Sequence, residues 1–200
     1  MVIAIHRAVE QQAAIRGESP AYVDGSRTLT YRELNGRANA LARALIGSGF
    51  KRGSVAAVRM ARSADLVVTL LAVLKAGGAY MWADHDDASW PRGVSIVEKE
   101  SAGSGRCLAV DLTRMLSEDV PPGANLPILT RATDVACVLR DRDGSPAVLV
   151  PHSTITALPQ RQVPRDVQWK GENGALDLWL ALMTGATVIP VEAPAHTVAA

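Results

Sequence analysis

Residues 55–82 read VAAVRMARSADLVVTLLAVLKAGGAYMW, and this stretch decides the fold. Val55 to Met60 is a near-continuous apolar run, the pattern of a strand covered on both faces. Ser63 is a good N-cap, and Asp65 falls in the first turn of the helix it opens, where the helix dipole favours a negative charge. Leu66, Leu70, Val73 and Leu74 recur at helical spacing and predict one apolar face. Gly77-Gly78 stops the helix, and Ala79 to Trp82 begins a second strand. A strand, a helix and a strand in this order imply parallel pairing through a right-handed crossover.

The same alternation extends outward on both sides. Residues 3–16 predict an amphipathic helix with charges at helical spacing, not a signal peptide, since no long apolar core is present. Ala21–Asp24 and Arg27–Leu29 flank the turn Asp24-Gly25 as a hairpin. Thr30 with Glu33 three residues later has the form of a capping box, and Leu34, Ala38, Leu41, Leu45 and Ile46 make the apolar face that follows. On the C-terminal side, residues 84–106 are polar and glycine-rich around one short helix, and Arg106–Leu112 reads as a strand. Val135–Leu139 and Ala147–Val150 read as strands around Asp143-Gly144, residues 159–174 as a loose surface segment, Leu176–Met183 as a helix and Thr187–Val191 as a strand. The fold class expected is α/β, a doubly wound and mostly parallel sheet flanked by helices. It occupies residues 1–192, with 193–200 as a flexible tail.

Composition narrows the function. Hydrophobic residues make up 48% of the 200 and aromatics only 4%, so the core must be aliphatic. The net charge is +1 with both signs interleaved, which lacks the basic stripe of a nucleic-acid binder. No apolar run reaches the eighteen residues of a membrane span. Cys107 and Cys137 each sit in a strand-like run and read as buried free thiols, with a disulfide or reactive pair as the alternative. Together these features predict a soluble cytoplasmic protein.

Three segments resemble a known family. Leu29-Thr30-Tyr31-Arg32-Glu33-Leu34 is similar to the first core motif of nonribosomal peptide synthetase adenylation domains, and Leu74-Lys75-Ala76-Gly77-Gly78-Ala79-Tyr80 to the second. Leu176-Asp177-Leu178-Trp179, with Leu182 and Gly185-Ala186-Thr187, is similar to the helix and strand after the family's phosphate loop. The resemblance runs from about Ala4 to Val191 and implies the N-terminal subdomain of the adenylate-forming (AMP-binding) superfamily. The first two motifs are explained as cap, apolar face and turn, so they identify ancestry more than activity.

The third core motif of that family carries the chemistry. It is a loop of Ser, Thr and Gly followed by Pro-Lys-Gly, whose N–H groups and hydroxyls donate to phosphate oxygens. The resemblance places the equivalent at Arg140, Asp141, Arg142, Asp143, Gly144 and Ser145, a shorter loop with no lysine after Pro146. One reading is a degenerate phosphate loop, a charged and solvated hairpin turn. The other is that Arg140 and Arg142 bind phosphate in a new way. The resemblance also implies that the adenine, ribose and magnesium motifs and the catalytic lysine lie beyond residue 200. It therefore implies no catalytic residue and no cofactor in this chain.

Other constellations read more simply. Asp84-His85-Asp86-Asp87 suggests a solvated loop more than a metal site, and no metal is expected. His152 reads as a cap-region or packing histidine. Ser153 beside it lacks the elbow of a nucleophilic serine. Trp179 is read as core, whereas Trp90 and Trp169 sit in loop-like stretches and are interface candidates. The expected function is a non-catalytic pseudo-adenylation protein, an accessory, scaffold or interaction subunit in nonribosomal peptide biosynthesis. Its expected partner is a synthetase component, a tailoring enzyme or a second copy. The alternatives are the N-terminal half of a split amino-acid-adenylating enzyme and an amino-acid or nucleotide sensor.

Overall fold

A computed structural model of the chain describes residues 3–25, 27–60, 62–82, 94–97, 124–127, 130–139, 148–158, 163–169 and 175–191. The capping box forms as its sequence dictates. Thr30 Oγ1 accepts from the Glu33 N–H at 3.2 Å, and the Glu33 carboxylate accepts from the Thr30 N–H at 2.8 Å. This opens helix α2 (Tyr31–Gly47) directly from the hairpin β1 (Pro20–Asp24) and β2 (Arg27–Thr30). Helix α1 (Ile5–Ile15) precedes the hairpin.

The deciding stretch folds as strand β3 (Val55–Arg59), helix α3 (Ala64–Lys75) and strand β4 (Ala79–Trp82). The two strands pair in parallel, Val55 with Ala79 through Val58 with Trp82. Ser63 Oγ accepts from the Leu66 N–H at 3.1 Å, so the predicted cap forms. Gly77 then adopts φ 84° and ends the helix in the left-handed region that glycine tolerates. Gly78 answers a different demand. A Cβ there would lie 2.3 Å from the Phe50 ring and 2.7 Å from the Ser54 carbonyl oxygen, so the strand start can close on its neighbour only as glycine.

After these come β5 (Val94–Val97), β6 (Val135–Leu139), β7 (Val148–Pro151), the short helix α4 (His152–Thr156), β8 (Asp166–Trp169), α5 (Ala175–Thr184) and β9 (Thr187–Pro190). The strands divide into two sheets, β2-β1-β9-β8 and β5-β3-β4-β6-β7. Both are mostly parallel. Their antiparallel pairs are the two hairpins, β1 with β2 and β6 with β7.

Three expectations are corrected. The predicted single apolar face of α3 is too narrow: Ala64 and every residue from Leu66 to Lys75 are buried. The helix packs against α1, α2, β1 of the first sheet and β3 and β4 of the second, and only Asp65 in its first turn reaches solvent. Its one polar mid-helix residue, Thr69, turns its hydroxyl back to the Asp65 carbonyl at 2.8 Å. Within 84–106, where one short helix was expected, Val94–Val97 is a strand that pairs in parallel with β3. Within 159–174, the loose surface segment holds β8, paired with β9 from Asp166↔Thr187 to Trp169↔Pro190. Both strands have only four residues and lie between polar, Pro- or Gly-bearing stretches, which drowned their β-branched signal. The expected strand 106–112 and the tail 193–200 lie outside the described residues.

Candidate functional site

The loop that would carry phosphate chemistry joins β6 to β7. These strands pair antiparallel from Val135↔Pro151 to Leu139↔Val148, so residues 140–147 connect two hydrogen-bonded neighbours. Arg140, Asp141, Arg142, Asp143, Gly144 and Ser145 themselves lie outside the described residues. At the loop end of the hairpin the flanks are apolar yet exposed, with Val148 58% and Leu149 60% accessible.

The opposite end of the hairpin is clamped. One Asp134 carboxylate oxygen accepts from Arg52 Nη2 at 2.7 Å, from Arg52 Nε at 3.2 Å and from the Arg131 N–H at 2.9 Å. Desolvation acts to raise this carboxyl, but the Arg131 N–H and the Arg52 guanidinium outweigh it and hold the group below its ordinary value. The Asp134 carbonyl accepts from the His152 N–H at 3.0 Å, and the Ala132 carbonyl from the Ser153 N–H at 2.7 Å. His152 follows β7 directly and is fully buried. Its Nδ1 accepts from the N–H of Ile5, the first residue of α1, at 3.2 Å. It thus satisfies one of the orphan donors at a helix start, from 147 residues away. The cap-region expectation for His152 holds, although the helix it caps is α1. Committed to Ile5 and held down to about 4 by burial, His152 is a poor base for Ser153.

The three family-like segments converge on α5. The Tyr31 hydroxyl donates to the Ala186 carbonyl at 2.7 Å. Trp179 Nε1 donates to the Tyr80 hydroxyl at 2.7 Å, and that hydroxyl also hydrogen-bonds Cys137. The side chains of Tyr31, Trp179, Tyr80 and Cys137 are essentially sealed from solvent. Burial pushes the Cys137 thiol up to about 11, partly opposed by Tyr80, so this free cysteine is inert. Cys107 lies outside the described residues.

A second buried network was not foreseen. Lys75 closes α3 with its side chain fully buried, and its Nζ meets Glu10 Oε1 at 2.5 Å. Arg7 holds the other Glu10 oxygen at 2.7 Å. The only hint was a lysine at the end of an otherwise apolar helix. Nothing in the local sequence points to its partner on α1.

The interface candidates fare differently. Trp90 and the stretch Asp84-His85-Asp86-Asp87 lie outside the described residues. Trp169 is not exposed: it ends β8 with 0% accessibility, and the Arg62 guanidinium lies 5.5 Å from the centre of its ring. The alternation of Asp166-Val167-Gln168-Trp169 turns this ring inward, which the neighbouring prolines and glycines concealed. Among the described residues, no group of three or more His, Cys, Asp or Glu could hold a metal ion.

Residues 9–93 match the family of AMP-binding enzymes. Over these residues the chain is similar to that family. Related proteins extend the likeness. The chain is 32% identical to malpibaldin synthetase of Mortierella alpina, over 96% of its own length but 4% of that protein. It is 46% identical to tyrocidine synthase 1 of Brevibacillus parabrevis over 68% of this chain and 14% of that one. The fold matches the N-terminal subdomain of NpsA from Klebsiella oxytoca, solved in complex with 3-hydroxybenzoyl-AMSN. The TM-score is 0.80 at 22% identity, covering 98% of this chain and 56% of the other. The chain therefore has the AMP-binding fold of a nonribosomal peptide synthetase adenylation subdomain and spans a small fraction of its curated relatives. Within that fold, the tyrosines of the first two motifs serve the packing of α5.

Proposed function

We propose that this chain is a non-catalytic pseudo-adenylation protein that works by binding another protein in nonribosomal peptide biosynthesis, in the making of an antibiotic or similar natural product. One observation carries the reading. The connection between β6 and β7 holds Arg140, Asp141, Arg142 and Asp143 where the related motif has hydroxyls and glycines. A carboxylate about 4 Å from a phosphate oxygen at an effective dielectric near 20 costs on the order of 4 kcal/mol. Two such groups oppose a triphosphate, and two neighbouring guanidiniums offset part of that.

The exposed Val148 and Leu149 on the same hairpin support a protein partner, since an apolar edge invites cover. A second reading is favoured by the well-kept fold: the chain forms part of an adenylating enzyme whose other motifs lie on another polypeptide. A third, a nucleotide or amino-acid sensor, needs only a pocket.

Thermal denaturation with ATP, AMP and amino acids separates the three. Binding at 100 times Kd stabilises by about 2.7 kcal/mol, a shift of several degrees. The expected result is no shift with any of them, together with capture of an assembly-line protein in a pull-down. Amino-acid-dependent pyrophosphate exchange by a mixture with that captured protein would replace the first reading with the second. A shift without exchange would replace it with the third.

A further inference from the structure

Two buried imidazoles meet where α1 joins α4. His152 is fully buried and His6 is 4% exposed, and their rings meet edge-on with centres 5.9 Å apart. His152 Nδ1 accepts from the Ile5 N–H, so the neutral ring must carry its proton on Nε2. Neither His152 Nε2 nor His6 Nδ1 has a hydrogen-bond partner among the described residues. Among the described residues, no acceptor is bonded to either of these two nitrogens. From these facts we infer that His152 and His6 form a proton-sensitive latch fastening the first turn of α1 to the end of β7, closed while both rings are neutral and opened by acid. The inference stands apart from the proposed function, because it concerns how two elements are joined and not what the chain binds.

The chemistry of opening is short. A proton taken from water onto His152 Nδ1 would point an N–H at the Ile5 N–H. Two donors then face each other, and the bond is lost. The surroundings oppose the extra charge. His6 is faced by His152, by Lys75 from α3 and by Arg7 from its own helix. The carboxylate of Glu10 on α1 is already engaged by Lys75 and Arg7. Arg43 of α2 adds a further positive charge acting on Lys75. On His152 the opposing influence is Asp134, whose carboxylate is spent on Arg52 and Arg131. The packed helix α5 brings Asp177, which is exposed, and β7 brings no charge.

Burial lowers the closed rings, His152 to about 4 and His6 to about 3, while a released ring titrates near its ordinary 6.5. The closed-state values are depressed. The latch is therefore at full strength above about pH 6.5 and weakens as pH falls from there toward 4. Between pH 7.5 and 5.5, release of His152 alone is favoured about tenfold, and more if His6 is released with it.

Amide hydrogen exchange of the whole chain by NMR tests this, with rates corrected for the intrinsic effect of pH. Protection of the Ile5 amide is expected to fall about tenfold from pH 7.5 to 5.5, while α2 and α3 keep theirs. His152→Gln, which retains an acceptor but cannot titrate, is expected to remove most of that fall. Unchanged Ile5 protection, equal loss in all helices, or a full pH dependence in the glutamine variant would overturn the latch. Should that variant fail to fold, the His152 ring shifts of the unaltered chain decide. A ring midpoint that does not track Ile5 protection sinks the idea.

Discussion

Glu10→Ala is expected to destabilise the fold by about 3–5 kcal/mol, because it leaves a buried ammonium without its carboxylate. Lys75 Nζ lies 2.5 Å from Glu10 Oε1 with the lysine side chain fully inside. Desolvation is the main influence pulling the Lys75 pKa down, and Glu10 is what opposes it. Without Glu10 the lysine loses that opposition while Arg7 and Arg43 remain as like charges. Arg7 is partly exposed and can turn to water, so the penalty falls on Lys75. Urea denaturation measures it directly. A paired change, Glu10→Leu with Lys75→Met, is expected to recover most of the loss, since an apolar pair of similar volume carries no desolvation cost. If Glu10→Ala costs under about 1 kcal/mol, the pair is solvated and the buried network does not hold α1 to α3.

Trp179→Ala is the second large effect, also about 3–5 kcal/mol. The indole is fully buried on α5, and its removal opens a cavity against Tyr80, whose ring centre lies 6.2 Å away. It also removes the donor to the Tyr80 hydroxyl at 2.7 Å. Trp179→Phe keeps most of the volume and loses the hydrogen bond, so it should cost nearer 1–2 kcal/mol. Chemical denaturation of the two variants separates packing from bonding. Equal losses would mean that the hydrogen bond, and not the filled volume, dominates at this site.

What the sequence made legible is what lies close together along it. The Thr30 capping box, the Ser63 cap, the stop at Gly77 and both hairpins are signals within a few residues, and each forms as read. The parallel pairing of Val55–Val58 with Ala79–Trp82 followed from handedness once the helix between them was recognised. Contacts between distant residues were not legible. Lys75 with Glu10, Arg52 with Asp134 and His152 with Ile5 join positions that share no local pattern. The inward turn of Trp169 is not legible, because a four-residue strand among prolines and glycines has too little periodicity to show which way its one ring faces. Of the phosphate-loop candidate, the two flanking strands were legible from their apolar runs.

Helix α3 has a consequence for any attempt to dissect this chain. Past its first turn it is buried all round, and it packs against β1 of one sheet and β3 and β4 of the other. Cutting the polypeptide into a piece for each sheet would strip that rod of half its cover, whichever piece kept it. Neither piece would then be an autonomous, soluble unit. The smallest excisable body that respects this helix contains strands from both layers, so a minimal folded fragment should be sought by trimming the margins, with the middle left whole.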